Sequence, residues 1–457
     1  MTSLEGVEGP AMRQSIDVAD VIDRAGLSGT QLGLVALCFL VVAVDGFDTQ
    51  AISFVAPALR SALHLSPASM GSLFAVGTFG GAIGGFVLGP LADRFGRRPV
   101  LLASVSSFAL LTYGYILVHS FWQLFLLRIV LGFLLAGGIS TAYTYAAETV
   151  PKRWLARAVV IATIGYSSGT AIGGFISSWL IPQFGWQSVF VCCATFTLVV
   201  AAIVAVAMPE TVRYAVLTSM PPAEIGAMLQ RLVPSFRAPN SAEFVNTEER
   251  HNRGAIGPLF QGGRAGFIAQ LWSVAFLLNI DLWIMHQWLP TLTRDMGQTI
   301  AVAVRTGALF QFGSMVGGLV LGTLVDRRSN PWFPLCIAFA ASGVAFFGLG
   351  QFVAAGPPFF VVVFLAGALL GGAQLAFNGV VGHTFPTTMR TTGMSFTAGI
   401  SRLGAMTGPL LVGLLLGAGG SPSLVYALGA IPVFICAGLT GLLVLRSSPG
   451  VPPLSNA

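Results

Sequence analysis

Twelve apolar stretches, each about 20 residues long, occupy most of this chain, and each can cross a hydrocarbon layer about 30 Å thick as an α-helix. The spans fall at about 31–57, 70–92, 100–118, 121–147, 158–182, 186–208, 265–290, 303–325, 332–352, 357–383, 391–417 and 423–446. Only 9% of the 457 residues are charged, against about 25% in soluble domains, so there is too little charge to clothe water-soluble cores. The chain therefore reads as an all-α integral membrane protein with twelve transmembrane helices. Its first 30 residues are polar and acidic, unlike a secretory signal. The five cysteines lie in apolar stretches without CxxC spacing, so neither disulfides nor zinc is expected.

The net charge of +6 acquires meaning once the charges are placed. No basic cluster is interleaved with aromatics, so no nucleic-acid partner is expected. Of 23 cations, 18 fall on the side that holds both termini and 3 on the other. That bias predicts cytoplasmic termini in a multi-pass membrane protein. The expected organisation is a cytoplasmic segment 1–30, a six-helix bundle 31–208, a cytoplasmic loop 209–264 carrying one or two short surface helices, a second bundle 265–446 and a cytoplasmic tail 447–457.

The two bundles are related. A shift of 233 residues places Asp48 on Asp281, Pro57 on Pro290, Gly89 on Gly322 and Asp93 on Asp326. A shift of 235 places Gly132 on Gly367, Gly137 on Gly372, Pro151 on Pro386, Gly169 on Gly404 and Gly173 on Gly408. A parallel repeat about the membrane normal predicts a transport path between the halves, with the binding site near mid-membrane.

Gly89-Pro-Leu-Ala-Asp93-Arg-Phe-Gly96-Arg-Arg98-Pro resembles the signature loop of the major facilitator superfamily, and Arg128-x-x-x-Gly132 resembles its second motif. Asp45-Gly-Phe-Asp48-Thr-Gln, Phe54-Val-Ala-Pro57, Gly173-Gly-Phe-Ile-Ser-Ser-Trp-Leu-Ile-Pro182, Trp288-Leu-Pro290 and Gly399-Ile-Ser-Arg402-Leu-Gly404 narrow the likeness. Together they resemble the aromatic acid:proton symporters of the 4-hydroxybenzoate/protocatechuate type. The resemblance implies two pseudo-symmetric six-helix bundles (the major facilitator fold), an aromatic carboxylate as substrate, protons as coupling ion with no other cofactor, and a single-chain protein in the lipid bilayer of a bacterial inner membrane. It also implies that Asp93 and Asp326 hold the halves together when the transporter faces outward.

Away from the span edges, six ionisable residues lie inside spans: Asp45, Asp48, Arg128, Asp281, His286 and Arg402. Each charge there costs about 2.5–3.5 kcal/mol on insertion scales, so each asks for a reason. Asp45 and Asp48 are three apart on one helix face and do not both ionise easily, which suits a proton-coupling site. Arg128 is their expected partner, in coupling or in structure. Arg402 carries a fixed charge on a planar fork that matches a carboxylate, and lies in a glycine-rich stretch. The alternative for Arg402 is a permanent pair with Asp281 or a span 1 acid.

An aromatic ring needs flat walls and a few placed polar groups, for which His286, Gln287, Trp288, Gln374, Phe377, Asn378 and Tyr143 are candidates. Gln374 and Asn378 share a helix face suited to a ring hydroxyl. Any single ring among these reads first as ordinary packing, ahead of a binding role. Gly89, Asp93, Arg94, Arg97, Arg98, Glu148, Arg153, Asp326 and Arg327 are the expected gate, and the same arginines serve as orientation anchors. Gly77, Gly81, Gly85 and Gly89, four apart, read as a smooth stripe for a sliding partner helix.

The leading expectation is an importer of hydroxybenzoate-like acids by proton symport and alternating access, not an enzyme. The alternatives are a transporter of another organic anion or a sugar, or one that doubles as a chemotaxis sensor through the central loop. Gly165-Tyr-Ser-Ser-Gly169 matches the G-x-S-x-G hydrolase elbow in letters but falls inside a span, where the strand-turn-helix it needs has no place.

Overall fold

The computed structural model describes residues 15–237, 243–245, 257–261, 264–353, 356–385 and 390–446. The remainder of the terminal segments and of the central segment, together with Pro386 of the repeat, lies outside the described residues. Among the described residues, twelve helices are long and apolar enough to cross a membrane.

A short helix α1 (Val18–Arg24) precedes the first bundle, α2 (Gly29–Ala62), α3 (Pro67–Phe95), α4 (Arg97–Thr112, continued by a 3-10 turn to Leu117), α5 (Phe121–Thr149), α6 (Lys152–Phe184) and α7 (Gln187–Ala207). The central segment contributes α8 (Val212–Leu217) and α9 (Pro222–Leu232). The second bundle follows with α10 (Ala265–Asp295), α11 (Ile300–Arg327), α12 (Trp332–Phe352), α13 (Pro357–Ala366), α14 (Gly372–Thr384), α15 (Arg390–Gly417) and α16 (Pro422–Arg446). α13 and α14 are one span, joined by a π-turn at Gly367–Gly371.

Local chemistry explains where the helices start. Ser28 and Gln31 form a reciprocal capping box at the head of α2, with the Ser28 Oγ accepting from Gln31 N at 3.2 Å and the Gln31 Oε1 accepting from Ser28 N at 2.9 Å. Ser66, Ser120 and Thr299 accept from the third helical N–H of α3, α5 and α11. Gly96, at φ 103°, closes α3 and opens α4 in a single residue, a conformation that favours glycine.

The repeat recurs in the packing. The α-carbons of Gly165 and Gly169 on α6 face the carbonyls of Phe39 and Ala43 on α2, while Gly404 and Gly408 on α15 face those of Phe276 and Ile280 on α10. Gly80 and Gly84 on α3 face the carbonyls of Ile129 and Phe133 on α5; Gly313 and Gly317 on α11 face those of Phe364 and Ala368. The same shifts of 233 and 235 that align the sequence carry the second contact in each set onto its counterpart. A Cβ at any of these glycines would strike backbone, so small residues set the spacing of the helices. Gly165 and Gly169, the ends of the hydrolase-like string, are helix-packing notches.

Two features refine the sequence reading without changing the fold class. The chain is not wholly helical: β1 (Ser15–Asp17) and β2 (Glu243–Val245) pair in parallel and tie the N-terminal segment to the central one. The glycine stripe on α3 is a packing seam only in part: Gly132 of α5 comes against the backbone of Gly77 and Gly81, beside the contacts at Gly80 and Gly84. Gly77 makes room for the Arg128 guanidinium, Gly81 lines a central cleft, and Gly89 has no atom within 4 Å of where a Cβ would lie.

Among the described residues, the hydrogen bonds and ion pair between the halves lie towards one end. The face at which α2 begins and α16 ends is the end-bearing face, and its opposite is the far face. Gln50 Nε2 donates to His286 O at 2.9 Å, Ser53 Oγ donates to Gln287 O at 2.9 Å, and Arg60 pairs with Asp295 at 2.8 Å, so contacts between halves run from mid-membrane to the far face. There α3 and α15 touch at Gly71 and Gly413. Towards the end-bearing face, Gly89, Gly322, Gly379 and Gly399 all face open space. The central cleft is therefore sealed from the far face and opens towards the chain ends.

Candidate functional site: a charged cleft between the bundles

A cleft of about 330 Å³ lies at mid-membrane, within the size range of small-molecule sites. The first half lines it with Asp45, Asp48 and Thr49 of α2, Gly77, Thr78 and Gly81 of α3, Arg128 and Gly132 of α5, and Tyr166 of α6. The second half supplies Asn279, Trp283 and Gln287 of α10 and Ser401, Arg402 and Ala405 of α15. Four of the six ionisable residues inside spans thus converge on one cavity.

Asp48 and Arg128 are almost fully buried, with Arg128 Nη1 3.7 Å from Asp48 Oδ2. That is a charge contact rather than a hydrogen bond. Arg128 Nη1 also donates to the Tyr115 hydroxyl at 3.4 Å, and Asp48 Oδ1 and Arg128 Nε have no hydrogen-bond partner among the described residues. Asp45 accepts a hydrogen bond from Thr49 Oγ1, one turn along α2, at 3.2 Å. The loose geometry leaves both acids able to exchange partners without breaking a well-made network.

Arg402 stands opposite. It is exposed to the cleft and has no ion-pair partner among the described residues. A Cβ at Gly85 of α3 would lie 3.6 Å from Arg402 Nη1, so glycine on the facing wall keeps this guanidinium accessible. The permanent pair with Asp281 that the sequence allowed is not formed. Asp281 is fully buried, its two carboxyl oxygens are unpartnered, and Oδ1 lies 3.6 Å from where a Cβ at Gly429 of α16 would sit. It is turned away from the cleft.

Several expected ring-binding residues lie elsewhere. Trp288 is completely buried, donates its indole N–H to Pro409 O at 3.1 Å and packs edge-on against Phe74 at 5.3 Å, so it braces the far-face seal. Phe377 is completely buried in the core. His286 is buried between the rings of Trp283 and Phe310, and both its ring nitrogens are unpartnered. Tyr143 lines a separate cavity of about 420 Å³ beside Val18, Asp23 and Lys152 at the end-bearing face. Gln374 and Asn378 bond to each other and, through Gln374, to Asn279; only Asn279 reaches the cleft. Gln287 does line it, with Oε1 unpartnered.

Sequence reasoning missed Tyr166, Asn279 and Trp283. The signal was available on α10, where Asn279, Trp283 and Gln287 are spaced four apart and share one face.

The expected gate residues form a network within the first half. Arg97, at the start of α4, bonds Asp93 near the end of α3 and donates to Glu148 Oε1 at 3.2 Å. Glu210 accepts from Arg97 N at 3.0 Å, Arg98 donates to Ala205 O at 2.7 Å, Tyr214 donates to Arg94 O at 3.2 Å and Arg153 donates to Ala25 O at 2.9 Å. Asp326 and Arg327 are exposed, with no ion pair among the described residues. With this face open, Asp93 bridges nothing to the second half.

Two notched six-helix bundles around a charged mid-membrane cleft, closed at one face and open at the other, define a membrane transporter rather than an enzyme. The chain belongs to the major facilitator superfamily, whose family model matches residues 38–356 and, overlapping, 271–457. It is 34% identical to a gallate transporter of Pseudomonas putida over 97% of this chain and 99% of that one. It is 33% identical to the 4-hydroxybenzoate transporter PcaK of Pseudomonas aeruginosa, over 90% of this chain and 91% of that one. A solved D-xylose-proton symporter shares the fold at a TM-score of 0.69, with 15% identity over 92% of this chain and 98% of that one.

Proposed function

We propose that the chain imports a hydroxybenzoate-like aromatic carboxylate with protons by alternating access, and that this structure is its inward-facing state. The observation that carries the reading is the single cleft in which an unpaired Arg402 from one half faces the Asp45, Asp48 and Arg128 group of the other. A cation free of protein partners, next to acids that are not fully engaged, is a site waiting for an anion and a proton. The charge bias of the loops supports cytoplasmic chain ends in a bacterial inner membrane, which makes the open face the inner one. The cleft is complete within one chain, in keeping with a monomer.

The substrate carboxylate takes the Arg402 fork, and Tyr166 and Trp283 offer flat walls for its ring. A proton taken from outside neutralises a span 1 acid, and its release to the inside restores the charge that Arg128 attracts. One proton with one monoanion moves no net charge, so a pH gradient alone drives that cycle. Similarity to the gallate and 4-hydroxybenzoate transporters supports the substrate class.

Purified protein in liposomes tests this reading. Uptake of labelled 4-hydroxybenzoate is expected to saturate and to be competed by other benzoate-like acids and not by hexoses or pentoses. Competition by sugars, or uptake that never saturates, would contradict it.

A further inference from the structure

We propose that Asn279 determines substrate specificity by accepting a hydrogen bond from a donor group on the substrate ring, and that Gln374 and Asn378 act only by fixing its orientation. This rests on the aromatic-carboxylate reading of the cleft. Asn279 Nδ2 donates to Ala275 O at 2.8 Å and to Gln374 Oε1 at 3.2 Å. Gln374 Nε2 then donates to Asn378 Oδ1 at 3.0 Å. A main-chain carbonyl only accepts, so Ala275 O dictates which end of the Asn279 amide faces it, and the direction of the whole chain follows.

Both amide hydrogens of Asn279 are consumed. Its carbonyl oxygen accepts nothing from the described residues, and the side chain lines the cleft. The cleft therefore meets Asn279 as an acceptor, and rotating the amide to present a donor would break two bonds. Gly404 lets α15 approach closely, for a Cβ there would lie 3.2 Å from Asn279 Cβ. Arg402 lies half a turn away on the same helix, and Trp283 is one turn further along α10 on the Asn279 face. A ring held by its carboxylate at Arg402 and lying against Trp283 has its edge near this oxygen.

An acceptor held in place tells a ring hydroxyl or amine, which can donate, from a methyl ether, which cannot. Ordinary packing would grade ligands by size instead. The relevant measurement is inhibition of labelled 4-hydroxybenzoate uptake into proteoliposomes by benzoate, 3-hydroxybenzoate, 4-aminobenzoate and 4-methoxybenzoate. Wild type is expected to prefer the hydroxy and amino acids over the methoxy acid by about tenfold, the scale of one hydrogen bond between neutral groups. Asn279→Leu is expected to erase that preference while benzoate still inhibits. Gln374→Leu leaves the bond to Ala275 O as the one restraint on the amide, so that turning it breaks one bond instead of two, and is expected to narrow the hydroxy-to-methoxy ratio with inhibition by benzoate unchanged, which a general loss of structure would not do.

Equal inhibition by hydroxy and methoxy acids in wild type would overturn this inference and leave the transport reading standing. So would an unchanged ratio in both variants. Absence of saturable acid uptake by wild type would overturn both.

Discussion

Arg402→Ala is expected to abolish saturable uptake of aromatic acids while the protein still reaches the membrane and keeps its thermal stability. Arg402 has no ion-pair partner among the described residues, so its loss strands no buried charge. What goes, on the proposed reading, is the partner of the substrate carboxylate. Removing one member of a hydrogen-bonded charge pair in a desolvated site costs about 2–5 kcal/mol, or roughly thirtyfold to several-thousandfold in affinity. Arg402→Lys keeps the charge and loses the fork, and is expected to fall between wild type and alanine. Uptake kinetics and a thermal-shift assay on the same preparations check both points. Normal affinity in the alanine variant would place the carboxylate elsewhere in the cleft.

Neutralising the two acids of α2 is expected to give different results. Asp45 has Thr49 as its hydrogen-bond partner, so Asp45→Asn should fold normally, exchange substrate across the membrane and fail to concentrate it. Asp48→Asn should also lose accumulation, and in addition lose stability, because Arg128 is then buried without its counter-charge. Breaking one side of a buried pair costs about 3–5 kcal/mol, enough to lower the melting temperature visibly. The pair of variants thus separates a proton site from a structural anchor. Accumulation retained in both would put coupling on another group.

The topology was legible in the sequence because length and hydropathy decide it: every expected span is a helix, and the shifts that align the two halves also align their glycine notches. The ionisable residues were legible for a similar reason, since a charge in a span is conspicuous whatever its surroundings. Which face of each helix meets the cleft was harder to read. These helices are apolar nearly all round, so no polar stripe marks an inner side. Trp288 and Phe377 were therefore plausible ring partners by type, although they pack in the core, whereas Trp283, one helical turn from His286, lines the cavity.

Contacts between segments far apart in the chain were not legible at all. The β1–β2 pairing joins residues more than two hundred positions apart with only three residues in each strand, too short for alternation to be seen. The Asn279 chain likewise depends on α14 coming against α10. The expected gate residues do not join the two halves among the described residues. Asp93 and Arg97 are bonded to each other within the first half, a pairing set by the Gly96 turn between α3 and α4.

The central claim is that substrate and proton share this cleft and move together. Liposomes loaded with a pH-sensitive dye, at equal pH inside and out, test it most directly when 4-hydroxybenzoate is added outside. The account predicts that the lumen acidifies at a rate that follows substrate uptake, and that Asp45→Asn takes up substrate to equilibrium without this acidification. Wild-type uptake with no accompanying change in luminal pH would contradict it.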